Sequence, residues 1–138
     1  MIIADTNIVS EFMRDTPDAT GLTWAEGIDR AELAICVVTV QEIGRGLGRL
    51  PEGKRQRDLQ TRWRQLVDAF KDTIAVYDAS AARATAQILV HAESEGRPMS
   101  LADAQIAGIC ASRGSTLVTR NVRDFDRVSG LEVANPFG

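Results

Sequence analysis

Four acidic residues, far apart in the sequence, lie just after an apolar segment or at the start of a predicted helix. Asp5 directly follows the apolar run at residues 1–4, and Glu42 follows the run at residues 33–38. Asp103 opens a predicted helix, and Asp124 follows the run at residues 115–119. In a parallel sheet, the carboxyl ends of strands and the amino ends of the following helices share one edge, where ligands bind. The pattern predicts that these carboxylates gather at one edge of a sheet.

An acidic cluster with no His or Cys ligand is typical of a site for Mg²⁺ or Mn²⁺ and not of a zinc site. Converging carboxylates raise one another's pKa unless a cation lies between them. A bound divalent ion lowers the pKa of a coordinated water and neutralises charge on a phosphoryl oxygen. We therefore predict that the metal-binding residues and the catalytic residues are the same four: Asp5, Glu42, Asp103 and Asp124.

Each acid alone also has a purely structural explanation. The spacings Thr39-x-x-Glu42 and Ser100-x-x-Asp103 match the capping box, in which the acid reaches back to the amide of the capping residue. Acids in a first helical turn also complement the helix dipole without any function. Asp5 has no capping-box partner, and chance does not place an acid at every such junction. The joint pattern favours a site, and capping stays open as the alternative.

Two residues compete for the fourth position of the cluster. Asp124 lies three residues after Asn121, a looser version of the capping spacing, and Asp126 lies two residues further on. No serine has a paired base, and His91 lies in the middle of a predicted helix, so no covalent nucleophile or general base is assigned. Other polar side chains beside the acids either support the carboxylates or cap helices: Thr6, Asn7, Thr119 and Asn121.

The acids require a scaffold in which strands and helices alternate. Apolar runs predict strands at residues 1–4, 33–38, 73–77, 115–119 and 131–134. Helical spacing with capping and stop signals predicts helices at 6–13, 21–30, 39–47, 54–71, 80–95 and 101–113, the first capped by Thr6 or Asn7, and a short turn or helix after 121. Strands separated by helices pair in parallel through right-handed crossovers. The predicted fold class is α/β, a three-layer sandwich with a central, mainly parallel sheet flanked by helices.

Length and composition are those of an ordinary globular protein. The 138 residues fit a single domain at 1–138, with 44% hydrophobic residues and a net charge of −3. No apolar stretch reaches the roughly 18 residues that span a bilayer, and Asp5 and Glu11 interrupt the N-terminal apolar run. Cys36 and Cys110 lie in apolar segments and are predicted to be reduced core thiols. We expect a cytoplasmic protein that does not bind membranes.

A basic strip interrupts the otherwise acidic chain. Seven basic residues and two acids lie between residues 45 and 64. Such a strip can contact nucleic-acid phosphates, but it is also what the solvated face of a helix looks like. The strip is compatible with a nucleic-acid substrate and does not establish one.

The order of the motifs resembles that of the PIN-domain nucleases. The matching residues are Asp-Thr-Asn at 5–7, Thr39-x-x-Glu42, Leu-Ala-Asp-Ala at 101–104, and Thr-Arg-Asn at 119–121 followed by Asp124 and Phe125. The resemblance spans residues 3–137 and is strongest to the VapC toxins of prokaryotic type II toxin–antitoxin modules, in the FitB-like branch. Each motif alone is weak, whereas four in the same order are specific.

The resemblance implies a Mg²⁺- or Mn²⁺-dependent endoribonuclease toxin with a PIN-like sandwich fold. It makes the four acids the metal-binding and catalytic residues, with Thr6, Asn7, Thr119 and Asn121 as supporting polar residues. It also implies an RNA substrate, a homodimer, and a VapB-type antitoxin that forms a higher assembly and inserts an arginine into the acidic pocket. A guanidinium suits that role because it makes bidentate contacts with carboxylates.

Two other classes of function compete with this interpretation. In the first, the chain is a weakly catalytic or non-catalytic subunit of a DNA-bound toxin–antitoxin complex, and its acids serve as caps and arginine anchors. In the second, it hydrolyses small phosphate esters, since acidic rims of α/β sheets also serve such enzymes. A glycine-rich phosphate loop and a strand-terminal Asp-x-Asp pattern are both missing from the sequence, which disfavours the second class.

Overall fold

Every strand of the protein pairs in parallel with its neighbours, and helices connect the strands. The computed structural model describes residues 1–137. Its five strands are β1 (Ile2–Ala4), β2 (Leu33–Cys36), β3 (Ile74–Ala75), β4 (Thr116–Val118) and β5 (Val133–Ala134). They lie in the order β3-β2-β1-β4-β5, so that β1 is the central strand. The predicted parallel sheet is confirmed.

Seven α-helices are found within residues 1–137. They are α1 (Thr6–Phe12), α2 (Ala19–Glu26), α3 (Val37–Gly48), α4 (Lys54–Ala69), α5 (Ala79–Ser94), α6 (Leu101–Arg113) and α7 (Val122–Phe125). A short 3₁₀ turn at Arg30–Glu32 leads into β2. In the same residues, no helix is both long enough and apolar enough to cross a membrane.

Two hydrophobic clusters lie on opposite faces of the sheet, because successive strand residues point to opposite sides. Ile3 and Leu117 belong to the cluster that packs against α5 and α6. Ala4 and Val118, the next residue of each strand, belong to the cluster formed with α1, α3 and α4. The strands are therefore apolar on both faces, as expected of a sheet covered by two helical layers. The predicted three-layer sandwich is confirmed.

The two cysteines lie inside the first of these clusters and form no disulfide. Cys36 ends β2 and Cys110 lies on α6, and both are free and buried. Burial raises the pKa of the Cys110 thiol to about 12, with the neighbouring Cys36 adding to the effect. Both residues act as small core side chains, in agreement with the prediction.

Two helices begin two residues earlier than predicted. Residues 37 and 38 were assigned to a strand because valine favours extended structure, but α3 already begins at Val37 and Val38 is buried within it. Packing against the core outweighs the small intrinsic preference. The helix predicted at 21–30 occupies Ala19–Glu26, since the side chain of Asp18 caps it by accepting hydrogen bonds from the amides of Thr20 and Gly21.

Phe137, the last described residue, contacts Arg120 in the segment that follows β4. The guanidinium carbon of Arg120 lies 3.9 Å from the centroid of the Phe137 ring. A Cβ added at Gly21 would come within 2.3 Å of Cε1 of the same ring. Arg120 also reaches the Glu11 carboxylate, with Nη2 at 3.5 Å from Oε1, and Glu11 is only 6% exposed. A buried carboxylate requires such a partner, so the network fixes the segment that follows β4.

The helix hairpin of α5 and α6 carries Asp103 and depends on close contact at Gly108. An added Cβ at Gly108 would lie 2.0 Å from Thr85 Oγ1 and 2.8 Å from the Ala81 carbonyl oxygen. The Thr85 hydroxyl is buried and donates to the carbonyls of Ala81 and Ala104, so it cannot move away without losing these hydrogen bonds. The glycine therefore sets the distance between the two helices.

We predict that Gly108→Ala destabilises the protein by about 1–3 kcal/mol, because overpacking a tight core contact forces the backbone apart. Gly44→Ala is the matched control, since it also lies inside a helix but a Cβ there meets nothing within 4 Å. The control should gain up to about 1 kcal/mol from alanine's higher helix propensity. Urea denaturation monitored by circular dichroism measures both, and equal stability of the two variants would contradict the prediction.

Candidate active site

Asp5 lies at the carboxyl end of the central strand and is only 4% exposed. Its Oδ1 accepts a hydrogen bond from the Ile8 amide at 2.9 Å, which caps α1, and its Oδ2 accepts one from the Thr119 hydroxyl at 2.6 Å. Asp5 therefore caps the helix, and the prediction that Thr6 or Asn7 does so is wrong. Burial raises the pKa of the Asp5 carboxyl, the two hydrogen bonds oppose the shift, and the charge of Glu42 adds to it.

Glu42 lies in the second turn of α3, since that helix begins at Val37 and not at Thr39. The capping box proposed for Thr39 and Glu42 is therefore wrong: the N-cap is Cys36, with no side-chain hydrogen bond. The Thr6 hydroxyl instead donates to Glu42 Oε1 at 2.7 Å. Thr39, which is fully buried, lies behind it with its hydroxyl 3.1 Å from that of Thr6. A chain of hydroxyls thus orients the Glu42 carboxylate.

Asp103 lies in the first turn of α6, as predicted, and its amide donates to Ser100 Oγ at 3.2 Å. Its carboxyl is half-buried, and this burial is the main reason that its pKa is raised. A hydrogen bond with Ser100 lowers the pKa, whereas the charges of Asp124, Glu42 and Asp5 raise it further. All three of the other predicted acids therefore act on Asp103, so the four carboxylates share one region of negative potential.

Asp124 lies in α7 and its side chain is exposed. The Asn121 side chain makes no capping hydrogen bond to this helix, so the looser capping motif proposed there is wrong. Three neighbouring charges raise the pKa of Asp103, and the charge of Asp124 has the largest effect of the three. Asp126 is the C-terminal cap residue of the same helix and is also exposed. The electrostatic coupling to Asp103 favours Asp124 as the fourth member of the cluster.

The four predicted supporting residues divide into two pairs. The hydroxyls of Thr6 and Thr119 donate to Glu42 and Asp5, respectively. The side chains of Asn7 and Asn121 are exposed and make no hydrogen bond within residues 1–137, although the Asn121 amide donates to Thr119 Oγ1 at 3.0 Å. The structure thus brings two of these side chains onto the acids and leaves the two asparagines at the surface.

The donor set fits a hard divalent cation, because it consists of carboxylate and hydroxyl oxygens alone. A cation between the acids would also offset the neighbouring charges that raise the pKa of Asp5 and of Asp103. Among residues 1–137, no three acidic, His or Cys side chains stand close enough together to hold a metal ion as they are placed. An ion would therefore have to draw the carboxylates inward.

Two open cavities, each of about 510 Å³, flank the acids. The first, which we call the α5 cavity, lies between α5, the start of α6 and α7, and its wall includes Ile88, His91, Met99, Asp103 and Asp124. The second, which we call the α4 cavity, lies between α1, α3 and α4, and its wall includes Thr6, Glu42, Leu47, Arg55 and Leu59. No feature of the sequence indicated either cavity, since each combines residues from elements that only folding brings together.

The basic strip belongs largely to α4, and part of it is used within the structure. Lys54 pairs with Asp58 at 2.6 Å, and Arg62 pairs with Asp15 at 2.5 Å. Arg62 also donates to the Met13 carbonyl at 2.8 Å and lines the α4 cavity together with Arg55. The strip is thus partly a solvated helix face, as the alternative interpretation stated, and partly the rim of a cavity.

Comparison with known proteins identifies the family. A model of the PIN domain matches residues 2–131. The chain is 33% identical to the plasmid stability protein StbB of Pseudomonas syringae over 138 residues, which is 99% of each chain. It is 30% identical to the VapC ribonuclease Y4jK of Sinorhizobium fredii, over 99% of this chain and 98% of that one. The crystal structure of FitAcB from Neisseria gonorrhoeae superposes with a TM-score of 0.90, at 29% identity and 99% coverage of both chains. The chain therefore belongs to the PIN-domain family, among relatives that include VapC ribonucleases and plasmid stability proteins.

Proposed function

We propose that this protein is a VapC-type toxin that cleaves RNA with the help of Mg²⁺ or Mn²⁺. The observation that carries the proposal is the convergence of acids from separate parts of the chain at the carboxyl edge of the sheet. Thr6, which follows Asp5 in sequence, donates to Glu42, and Asp103 lies in the first turn of α6. The charges of Asp5, Glu42 and Asp124 all act on Asp103. The relatives named VapC ribonuclease supply the reaction class. The substrate is then an RNA phosphodiester, and the reaction is its hydrolysis.

The four acids, Asp5, Glu42, Asp103 and Asp124, would hold the metal ion. When bound, such an ion activates a water molecule and neutralises charge that develops on the phosphoryl oxygens. The protein contributes the orientation of the ligands: Thr119 fixes Asp5, and the Thr6 hydroxyl, with Thr39 behind it, fixes Glu42. Because Asp5 is buried and already hydrogen-bonded on both oxygens, its carboxylate cannot rotate freely.

We further propose that a VapB-type antitoxin covers the α4 cavity. The cavity has an apolar part, including Leu47 and Leu59, and Glu42 also belongs to its wall. An apolar segment could pack on that wall and place an arginine among the acids, where a guanidinium binds carboxylates bidentately and competes with the metal. Ile8 and Val9 of α1 are buried in the core and are therefore not part of that surface. A homodimer is part of the same proposal and rests on the resemblance.

The alternative is a subunit without catalytic activity, and one specific observation favours it. Asp5 caps α1, and Asp103 lies in the capped first turn of α6, so both acids have a structural role in this fold. If that is their whole role, the parent protein should not cleave RNA, and replacing the acids by asparagine should leave the fold intact, since asparagine also caps helices well.

We predict that Asp5→Asn and Asp103→Asn each reduce RNA cleavage by at least about 100-fold, more than the 10- to 100-fold typical of residues that only support a ligand. Asp72→Asn is the control, because Asp72 is exposed and distant from the acids in sequence. Cleavage of a labelled RNA is measured with Mg²⁺, with Mn²⁺ and with EDTA, which should abolish the parental activity. Parental rates in both variants would contradict the proposal, and a parent protein that does not cleave RNA with either metal would support the non-catalytic alternative.

We also predict that Asp5→Asn does not destabilise the metal-free protein at pH 7. The pKa of the Asp5 carboxyl is raised by folding, so its contribution to stability is full below the unfolded pKa of about 3.9 and is lost as pH rises through the folded pKa. Removing the carboxylate should therefore make stability at neutral pH equal to or higher than that of the parent. Mn²⁺ should stabilise the parent and not the variant.

Thermal unfolding between pH 4 and 8, with and without Mn²⁺, tests this prediction. Asp78→Asn is the control, because Asp78 caps α5 through the Ala81 amide in the same way but is exposed. A loss of stability in Asp5→Asn at pH 7 that exceeds the loss in the control would show that the charged form is required for folding, contrary to the prediction.

A further inference from the structure

We propose that the α5 cavity binds the RNA nucleotide next to the scissile phosphate, an inference that rests on the proposed function. The cavity opens beside Asp103 and Asp124, so a strand whose phosphate lies at the acids must pass through a neighbouring space. Its volume of about 510 Å³ falls within the range of small-ligand sites. A single nucleotide is a ligand of that class.

The wall of the α5 cavity offers the two surfaces that a nucleotide needs. One part is apolar and includes Ile88, Pro98 and Met99, of which Ile88 and Met99 pack against the core of the domain. A base can lie on such a surface, because single-stranded RNA is bound by stacking and apolar contact with unpaired bases. The other part is cationic and includes three arginines: Arg97, Arg123 and Arg127.

Only one of these arginines has a guanidinium without a partner. Arg127 lies 3.5 Å from Glu95, which also pairs with His91 at 3.1 Å. Arg97 donates to the backbone carbonyl of Arg123 at 3.1 Å. The Arg123 side chain makes no ion pair and no hydrogen bond in the part of the chain that the structure describes. Arg123 is therefore the arginine of this cavity that is available for a phosphate, and the hydrogen bond from Arg97 holds the backbone of Arg123 in place.

The position of Arg123 suits this role because it directly precedes Asp124 in α7. Its guanidinium does not neutralise the neighbouring carboxylate, so both remain available for ligands. Arginine binds phosphate with paired, charge-assisted hydrogen bonds, which fix the orientation of the backbone. A phosphate held by Arg123 would thus place the next phosphate of the strand toward the acids.

The α4 cavity also contains an arginine without a partner in the part of the chain that the structure describes. Arg14 pairs with Glu11 at 3.0 Å and Arg62 pairs with Asp15, whereas Arg55 makes no ion pair and no side-chain hydrogen bond there. What favours the α5 cavity is its position: two of the four acids, Asp103 and Asp124, belong to its wall, whereas Glu42 alone belongs to the wall of the α4 cavity.

Methionine methyl signals distinguish the two cavities directly. Met99 lines the α5 cavity and Met13 lines the α4 cavity, and the chain contains only three methionines. In the Asp5→Asn protein, which should not cleave, we expect the Met99 methyl resonance to shift on addition of a nucleoside 5′-monophosphate or a short single-stranded RNA. The Met13 resonance should stay in place. A shift of Met13 alone would overturn the proposal.

RNA binding by variants of Arg123 gives a second measurement. In the same Asp5→Asn background, Arg123→Ala should weaken binding of a labelled short RNA by about tenfold at low salt and reduce the slope of log affinity against log salt by about 0.7, as expected for the loss of one phosphate contact. Arg123→Lys should retain the slope. Arg83→Ala is the control, because Arg83 is exposed on α5 outside the cavity.

The outcomes separate this proposal from the proposed function. If the parent protein cleaves RNA with Mg²⁺ or Mn²⁺ but Arg123→Ala binds RNA with unchanged affinity and slope, the nucleotide subsite is wrong and the nuclease assignment stands. If the parent does not cleave RNA, the proposed function fails and the subsite fails with it. If an acidic peptide shifts the Met99 signal and RNA does not, the cavity belongs to a protein partner and the proposal is overturned.

Discussion

The predicted site at the carboxyl edge of the sheet depends on one carboxylate that is almost completely buried at the end of the central strand. Asp5 is tolerated there because each of its oxygens receives a hydrogen bond, one from the Ile8 amide and one from the Thr119 hydroxyl. A buried charge without such donors would cost far more than one helix cap contributes. One side chain therefore starts α1, ties the end of β1 to the end of β4, and places negative charge at the centre of the edge. The rest of the site is arranged around that position.

The acidic cluster holds like charges near one another in a fold whose buried polar atoms are otherwise hydrogen-bonded. In residues 1–137, every buried side-chain nitrogen and oxygen has a hydrogen-bond partner, yet the charges of neighbouring acids raise the pKa of Asp5 and of Asp103. Local conflicts of this kind are expected at functional sites, where stability is exchanged for affinity. In the proposed function, a divalent ion and an antitoxin guanidinium would both relieve the same repulsion. Inhibition by the antitoxin would then need no conformational change in the toxin, because two cations compete for one set of carboxylates.

The sequence predicted those parts of the structure that are determined locally. The bounds of α6 were predicted correctly, because Ser100 caps its start and Gly114, in the left-handed conformation, ends it. The four acids were proposed as a site because the carboxyl ends of parallel strands must share one edge, and their role stays a prediction. Val37 and Val38 were misassigned because the packing of both residues against the core, which no local pattern encodes, decides that they are helical.

The hydrogen bonds that orient the acids could not be predicted from neighbouring residues. Thr6 and Glu42 are 36 positions apart, and Thr119 and Asp5 are 114 apart. The same holds for the α5 cavity, whose wall combines α5, α6 and α7. A motif can name a residue such as Thr119, but only the folded chain shows which carboxylate its hydroxyl reaches.

The contact between Gly21, Phe137 and Arg120 has a consequence for how this chain can diverge. The ring of Phe137 occupies the space that any side chain at position 21 would fill, and Arg120 covers the ring while holding Glu11. The residues at positions 11, 21, 120 and 137 therefore cannot change independently of one another. A lineage that loses the aromatic ring at 137 releases position 21 from glycine and removes the platform beneath Arg120. The segment after β4, which carries Thr119, would then need a new anchor, so we expect these positions to covary among relatives even though none of them belongs to the acidic cluster.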